Sequence, residues 1–188
     1  MFRQRILELY SSAPISNQAS FDGFVFRKLA EKELVEAEFC RPRLKLFRDR
    51  MSQGFDVFGY VSDEGTLAYY MWLCLGRKIN WAPWALGAQI EVPSSSGYIF
   101  DCKTDTPYRN KGLYKAALKE GRRLCYQANC EMALIDVVPS NEPAVRAIKA
   151  AGFQMKSRIA VTKFGPLYKT TQDNKSRYSL GHCSYILD

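Results

Sequence analysis

The stretch from Tyr98 to Phe153 restricts the folds open to this chain more than any other part of it. It reads as a strand, then Arg109-Asn110-Lys111-Gly112-Leu113-Tyr114 opening a helix, then a second strand, then a helix that begins at Asn141 and ends at Gly152-Phe153. A strand that passes into a helix through glycine and cations makes an anion cradle. The first N–H groups of a helix have no partner within it, and the helix dipole adds partial positive charge at that end. Gly112 lets the backbone approach a ligand where a Cβ would collide with a phosphate, and Arg109 and Lys111 add formal charge around the same pocket.

The rest of the chain supplies a mixed set of elements. Residues 1–20 carry a short helical pattern (Ile6, Leu7, Leu9, Tyr10) and then a Ser/Pro/Asn-rich stretch, together read as a peripheral arm. Phe24-Val25-Phe26 is a first strand. From Ala30 to Arg50, Leu34, Ala37, Leu44 and Phe47 fall near helical spacing, and Pro42 divides the segment into two helices. Asp56–Ser62 and Leu67–Leu75 are apolar strands joined by a hairpin signal, Asp63-Glu64-Gly65. Ala88–Val92 is a short strand or an irregular edge, and Met132–Val138 is an apolar run suited to a sheet centre. Ser140 or Asn141 caps the next helix, with Pro143 tolerated in its first turn. Met155–Phe164 and Tyr178–Leu187 are two further strands around a polar loop at Thr170–Lys175. The order is mixed α/β, and 188 residues fit one domain, 1–188, with a sizeable core.

No apolar run approaches the length of a membrane span, and the start, Met1-Phe2-Arg3-Gln4-Arg5, does not lead into a signal-peptide core. The six cysteines are scattered and none forms a C-x-x-C pair, so no metal site is expected, and reduced thiols in a cytoplasmic protein are the simplest reading. Lys and Arg number 27 against 19 acidic residues, a net charge of +8 that favours anionic partners. The charge is spread along the chain rather than gathered in a tail, which argues against nucleic acid.

The cradle and the second helix together resemble the GNAT family of acetyl-CoA-dependent acyltransferases. In that family a strand leads into R/Q-x-x-G-x-G/A, which holds the coenzyme A pyrophosphate. Arg109-x-x-Gly112-x matches, while Tyr114 stands where Gly or Ala is usual. A strand, then Asn, then a short helix ending in Gly-Phe is the second signature, matched by Ile135–Val138, Asn141 and Gly152-Phe153. The resemblance implies a GNAT fold: a mixed central sheet of about six to seven strands, splayed between its two cofactor-binding strands and flanked by about four helices. Those strands are then Tyr98–Thr104 and Met132–Val138. It also implies acetyl-CoA as cosubstrate, with Cys102, Lys103, Thr104, Arg109, Asn110, Lys111, Gly112, Leu113, Tyr114 and Asn141 as its binding residues.

Catalytic groups are less clearly marked. The family's usual thiolate-protonating tyrosine falls on Ile148, and the glutamate some members carry on the strand before the loop falls on Tyr98. Asp101 is the one acidic residue on that strand. A carboxylate in an apolar strand costs free energy unless paired, so Asp101 is either a base or acceptor-binding group, or the partner of an arginine. Asp101 and Tyr98 are the catalytic candidates. Cys102 lacks an activating base and reads as a small core residue. His182, the single histidine, lies far in sequence from the signature. Trp72 reads as core, and the Trp81–Trp84 loop as core or as an acceptor pocket.

The resulting expectation is an acetyl-CoA-dependent N-acetyltransferase acting on a small-molecule amine by direct transfer in a ternary complex. Alternatives are an enzyme using another acyl-CoA or a protein amine, and a non-catalytic GNAT-like sensor or scaffold. Expected partners are coenzyme A and the amine; a homodimer is left open.

Overall fold

The computed structural model describes residues 2–16, 21–75, 78–82, 88–172, 175–180 and 183–186. In chain order the strands are β1 (Phe2–Ser12), β2 (Phe24–Lys28), β3 (Asp56–Ser62), β4 (Leu67–Leu75), β5 (Lys78–Ala82), β6 (Ala88–Glu91), β7 (Ser96–Thr104), β8 (Met132–Val137), β9 (Gln154–Phe164), β10 (Leu167–Gln172), β11 (Lys175–Leu180) and β12 (Cys183–Ile186). The helices are α1 (Glu31–Glu36), α2 (Leu44–Ser52), α3 (Leu113–Gln127) and α4 (Glu142–Ala150), with a 3-10 helix at Glu38–Arg43 that contains Pro42. Nine strands form one sheet in the order β11-β10-β9-β1-β8-β7-β4-β3-β2, and β12-β6-β5 form a second. The large sheet is antiparallel except where β7 and β8 run parallel. This is the mixed α/β fold expected, with more strands than the six or seven anticipated.

Both faces of the sheet are covered. Leu34, Cys40 and Phe47 bring α1, the 3-10 helix and α2 onto one face, where Leu7, Leu9, Trp72, Tyr98, Phe100 and Leu134 are buried. On the other, Leu113, Ala116, Ala117 and Cys125 of α3 and Ile148 of α4 pack on Tyr69, Met71, Ile99 and Ile135. Each large side chain fully buried in this way contributes about 1.5–3 kcal/mol.

Two expectations are corrected here. Residues 2–12 are neither helix nor peripheral arm: β1 is an interior strand, paired with β8 on one side and β9 on the other. Leu7 and Leu9 face the α1/α2 layer and Tyr10 the α3/α4 layer, all nearly inaccessible. A strand buried on both faces loses its alternation and reads as an apolar run. Glu8 remains in this interior because the Tyr10 hydroxyl (3.0 Å) and Arg158 (2.6 Å) donate to its carboxylate. Thr170–Gln172 is likewise strand rather than loop, closing a hairpin between β9 and β11. The Trp84 and His182 readings and the Trp81 side chain lie outside what is described.

Candidate functional site

The parallel pair β7–β8 is joined only from Ser96/Met132 to Ile99/Ile135, although β7 continues to Thr104 and β8 to Val137. Beyond the last pair the strands part, and a cavity of about 870 Å³ opens between them. Its mouth is the cradle. Thr104 leads through Asp105 and a 3-10 turn (Thr106–Tyr108) into Arg109, and Asn110 and Gly112 then take left-handed backbone conformations before α3 begins. At Gly112, φ is 88°, and the nearest atom to an added Cβ is Phe21 Cε2 at 3.8 Å. Backbone conformation, not crowding within the protein, therefore calls for glycine there. The open space above it is where a phosphate would sit.

Of the expected binding residues, Cys102, Lys103, Thr104, Arg109, Asn110, Gly112, Leu113, Tyr114 and Asn141 line the cavity. Lys111 does not: its ammonium lies 5.2 Å from the centre of the Tyr108 ring. Lys115 does, and sequence reading passed over it although it follows directly on the motif. Asn141 combines two roles, its Oδ1 accepting from the Ala144 N–H (3.4 Å) while it borders the cavity with Ala144 and Ala147.

The two catalytic candidates sit differently from each other. Where β7 pairs with β4, the register shifts between Tyr70 and Trp72, so Asp101 and Cys102 together oppose Met71. This is a β-bulge, and Asp101 takes φ 49°, a conformation aspartate tolerates better than most residues. Its carboxylate is gripped from the α1/α2 side: Arg43 binds it with both terminal nitrogens (2.5 and 2.7 Å) and Arg50 binds Oδ2. The Arg50 guanidinium also lies 5.1 Å from the ring centres of Trp72 and Phe100. Tyr98 is fully buried and reaches under β8, where its hydroxyl donates to Asp136 Oδ1.

Three further residues complete the interior. Asp136 lines the cavity from β8 and went unremarked in the sequence, although it is the one charged residue in an apolar strand, the same signal that marks Asp101. Tyr69 lines it from β4, with a buried hydroxyl beside the Cys102 thiol. Tyr114 lies beside it, ring centres 6.1 Å apart. Burial pushes both phenols well above their ordinary range, so each is a neutral donor; the charge of Asp136 adds to the effect on Tyr114. Burial also pushes the Cys102 thiol up to about 12, which rules against a nucleophilic thiolate there. Ile148, at the usual tyrosine position, is buried in the core. Among the described residues no helix is long and apolar enough to cross a membrane, and no cluster of metal-ligating side chains occurs.

Residues 28–153 match the Acetyltransferase (GNAT) family. The chain belongs to that family. Solved structures with the same fold include an acetyltransferase from the GNAT family of Colwellia psychrerythraea, with 14% identity, 85% of this chain and 56% of that chain covered, and a TM-score of 0.58. A GCN5-related N-acetyltransferase from Sphaerobacter thermophilus has 14% identity, 99% and 55% coverage and a TM-score of 0.54. The GCN5-related glucosamine N-acetyltransferase region of a fungal multi-domain GH3 β-N-acetylglucosaminidase has 11% identity, 87% and 21% coverage and a TM-score of 0.59. The chain thus spans little more than half the length of the two bacterial proteins. No curated protein sequence matches it.

Proposed function

We propose that this protein transfers the acetyl group of acetyl-CoA to a small-molecule amine by direct attack within a ternary complex. The observation that carries this reading is the parting of β7 and β8 beside a phosphate cradle, in one continuous cavity. The two ends of acetyl-CoA need those two features. Backbone N–H groups at the start of α3, with Arg109 and Lys115, suit the pyrophosphate. The unpaired edges of β7 and β8 suit the pantetheine arm, which can pair as an added strand. Positioning of the thioester against the amine then supplies much of the rate. Tyr69 and Tyr114, which both line the cavity, are neutral donors that suit the role Ile148 cannot fill.

Of the two readings open to Asp101, an anchor fits this scheme better than a base. Both of its oxygens are engaged by two guanidinium partners, and charge-assisted pairs of that kind are among the stronger contacts in proteins. It fixes the bulge of β7 and ties the α1/α2 layer to the cavity wall. Calorimetry with acetyl-CoA, followed by mass detection of acetylated products from a panel of primary amines, tests the reading. Binding at a stoichiometry of one with acetylation of an amine is the expected result. Absence of binding sinks it; binding without any transfer favours a sensor or scaffold instead.

A further inference from the structure

Lys103 stands opposite Tyr70 in the register of β7 and β4, so both side chains leave the sheet on one face, toward the 3-10 helix and α2. There the Lys103 ammonium donates to the Phe39 carbonyl oxygen at 3.2 Å and lies 5.7 Å from the centre of the Phe39 ring. Phe39 in turn stacks on Tyr70 at 5.8 Å, and the Tyr70 hydroxyl accepts from Arg43 Nη1 at 3.1 Å. Lys103 and Arg43 are thus braced against one short stretch, Phe39 to Arg43, and both line the cavity. Neither has all its donors in use. Arg43 commits its terminal nitrogens to Asp101 and Tyr70, which leaves its Nε–H edge without a partner among the described residues, and its side chain is 32% exposed. Lys103, half-buried, has no carboxylate partner among the described residues; the Phe39 carbonyl fixes the ammonium but leaves its charge and further N–H groups to a ligand. The carboxylates nearby are engaged: Asp101 by Arg43 and Arg50, Asp105 by the Thr106 N–H at 2.7 Å, and Asp136 by the Tyr98 hydroxyl.

From these placements, and resting on the acetyl-transfer reading above, we infer that Arg43 and Lys103 form an anion subsite on the acceptor side, so that the amine this protein acetylates also carries a carboxylate or phosphate. The guanidinium edge offers a planar fork to two oxygens, and the ammonium supplies a point charge. The cradle opens at the start of α3, which packs on the opposite face of the sheet, so the coenzyme phosphates and the anion of the acceptor occupy separate ends of the cavity. The Lys103 backbone stays on the edge of β7 that β8 leaves unpaired, open to the pantetheine arm, while its side chain turns to the acceptor. An anion held at this end fixes the amine nitrogen at a set distance from it, which turns recognition of charge into positioning for attack.

The test uses the full chain and amines in matched pairs that differ in charge: amino acids against their carboxamides, and phosphorylated amino alcohols against the free amino alcohols. The wild type should acetylate the anionic member of at least one pair with kcat/KM about tenfold or more above its neutral counterpart, and the pair that responds tells carboxylate from phosphate. Calorimetry of the same amines on the coenzyme A complex should show the preference in affinity, so the subsite is read even without turnover. Lys103→Met should cut the preference to about threefold or less, Lys103→Glu should reverse it, and Lys103→Arg should retain it. Arg43→Lys, which keeps the charge but loses the fork, should lower it by less than Lys103→Met. If Lys103 serves only the fold, Lys103→Met lowers the melting temperature and leaves the preference of the folded protein intact. If it serves only the cofactor, coenzyme A affinity falls with the preference intact; either result overturns the subsite. A wild type that acetylates both members of every pair alike also overturns it, while leaving the transfer reading standing. A wild type that binds acetyl-CoA and prefers the anionic amines in calorimetry but acetylates none overturns the transfer reading and upholds the subsite.

Discussion

On one side of the cavity, Arg109 to Lys115 form the cradle from seven consecutive residues, shaped by the left-handed backbones of Asn110 and Gly112. On the other side, Asp101 meets Arg43 and Arg50 across 58 and 51 residues of sequence. The cradle depends on local conformation and can change without disturbing the core. The opposite wall exists only once α1, α2 and the sheet have assembled, so its charges also hold the fold. Damage to the first should appear in binding, and damage to the second in stability.

The largest expected effect comes from the cradle. Gly112→Val puts a β-branched side chain at φ 88° and into the open space where the proposed pyrophosphate would lie. Coenzyme A affinity should fall about a hundredfold or more as the helix N-terminus is blocked. The strain of about 1–3 kcal/mol should lower the melting temperature modestly. Unchanged affinity in calorimetry would remove the cradle as the pyrophosphate site.

Arg50→Met should produce the reverse pattern. The Arg50 side chain is 6% exposed and Asp101 12%, so removing the arginine leaves a largely buried carboxylate with Arg43 alone. The expected loss is about 3 kcal/mol, the lower end for breaking a buried pair because one partner remains. Denaturant midpoints should shift accordingly while the folded fraction still binds coenzyme A. A loss of affinity without a loss of stability would dissolve the distinction between the two walls.

The same distinction explains what could be read from the sequence. Gly112, the Asn141 cap and Gly152 announce themselves because each answers a local backbone need. The hairpin of β3 and β4 was legible for that reason too, through Asp63-Glu64-Gly65. β1 was not, since burial on both faces erased its alternation, and only its neighbours β8 and β9 make it a strand. Asp101 could be flagged as an anomaly, but nothing local to it reveals Arg43 and Arg50. Asp136 could have been flagged in the same way, while its bond to Tyr98 depends on the parallel register of β7 and β8.

A local thiol pair offers a check of intermediate size. Cys125, in the last turn of α3, donates to Cys130 just before β8, and this holds the Cys130 thiol below its ordinary range against the opposing effect of burial. Burial drives the Cys40 and Cys102 thiols up to about 12. At neutral pH a substoichiometric alkylating agent should therefore modify Cys130 about tenfold or more faster than Cys40 or Cys102. Peptide mapping that finds the three equally labelled would contradict this.

The smallest expected effect concerns Glu8, the long-range counterpart of that thiol pair, bound to Arg158 across 150 residues. The Arg158 hydrogen bond, helped by that of Tyr10, holds the Glu8 carboxyl below its usual range although burial opposes it. A carboxyl depressed in the folded state stabilises the protein above its unfolded pKa, about 4.3 for glutamate, and loses that contribution as pH falls through the folded value. Arg158 is 61% exposed and screened by solvent, so the contribution is about 1 kcal/mol or less. Glu8→Gln keeps the shape and the Tyr10 contact but removes the charge. Its melting temperature should lie below that of the wild type from neutral pH down to about 5, and the gap should close as the wild type is acidified further. A constant gap down to the acid transition would mean that shape, not charge, is what β1 requires at this position. In that case the ion pair between β1 and β9 would be a consequence of the fold and not one of its supports.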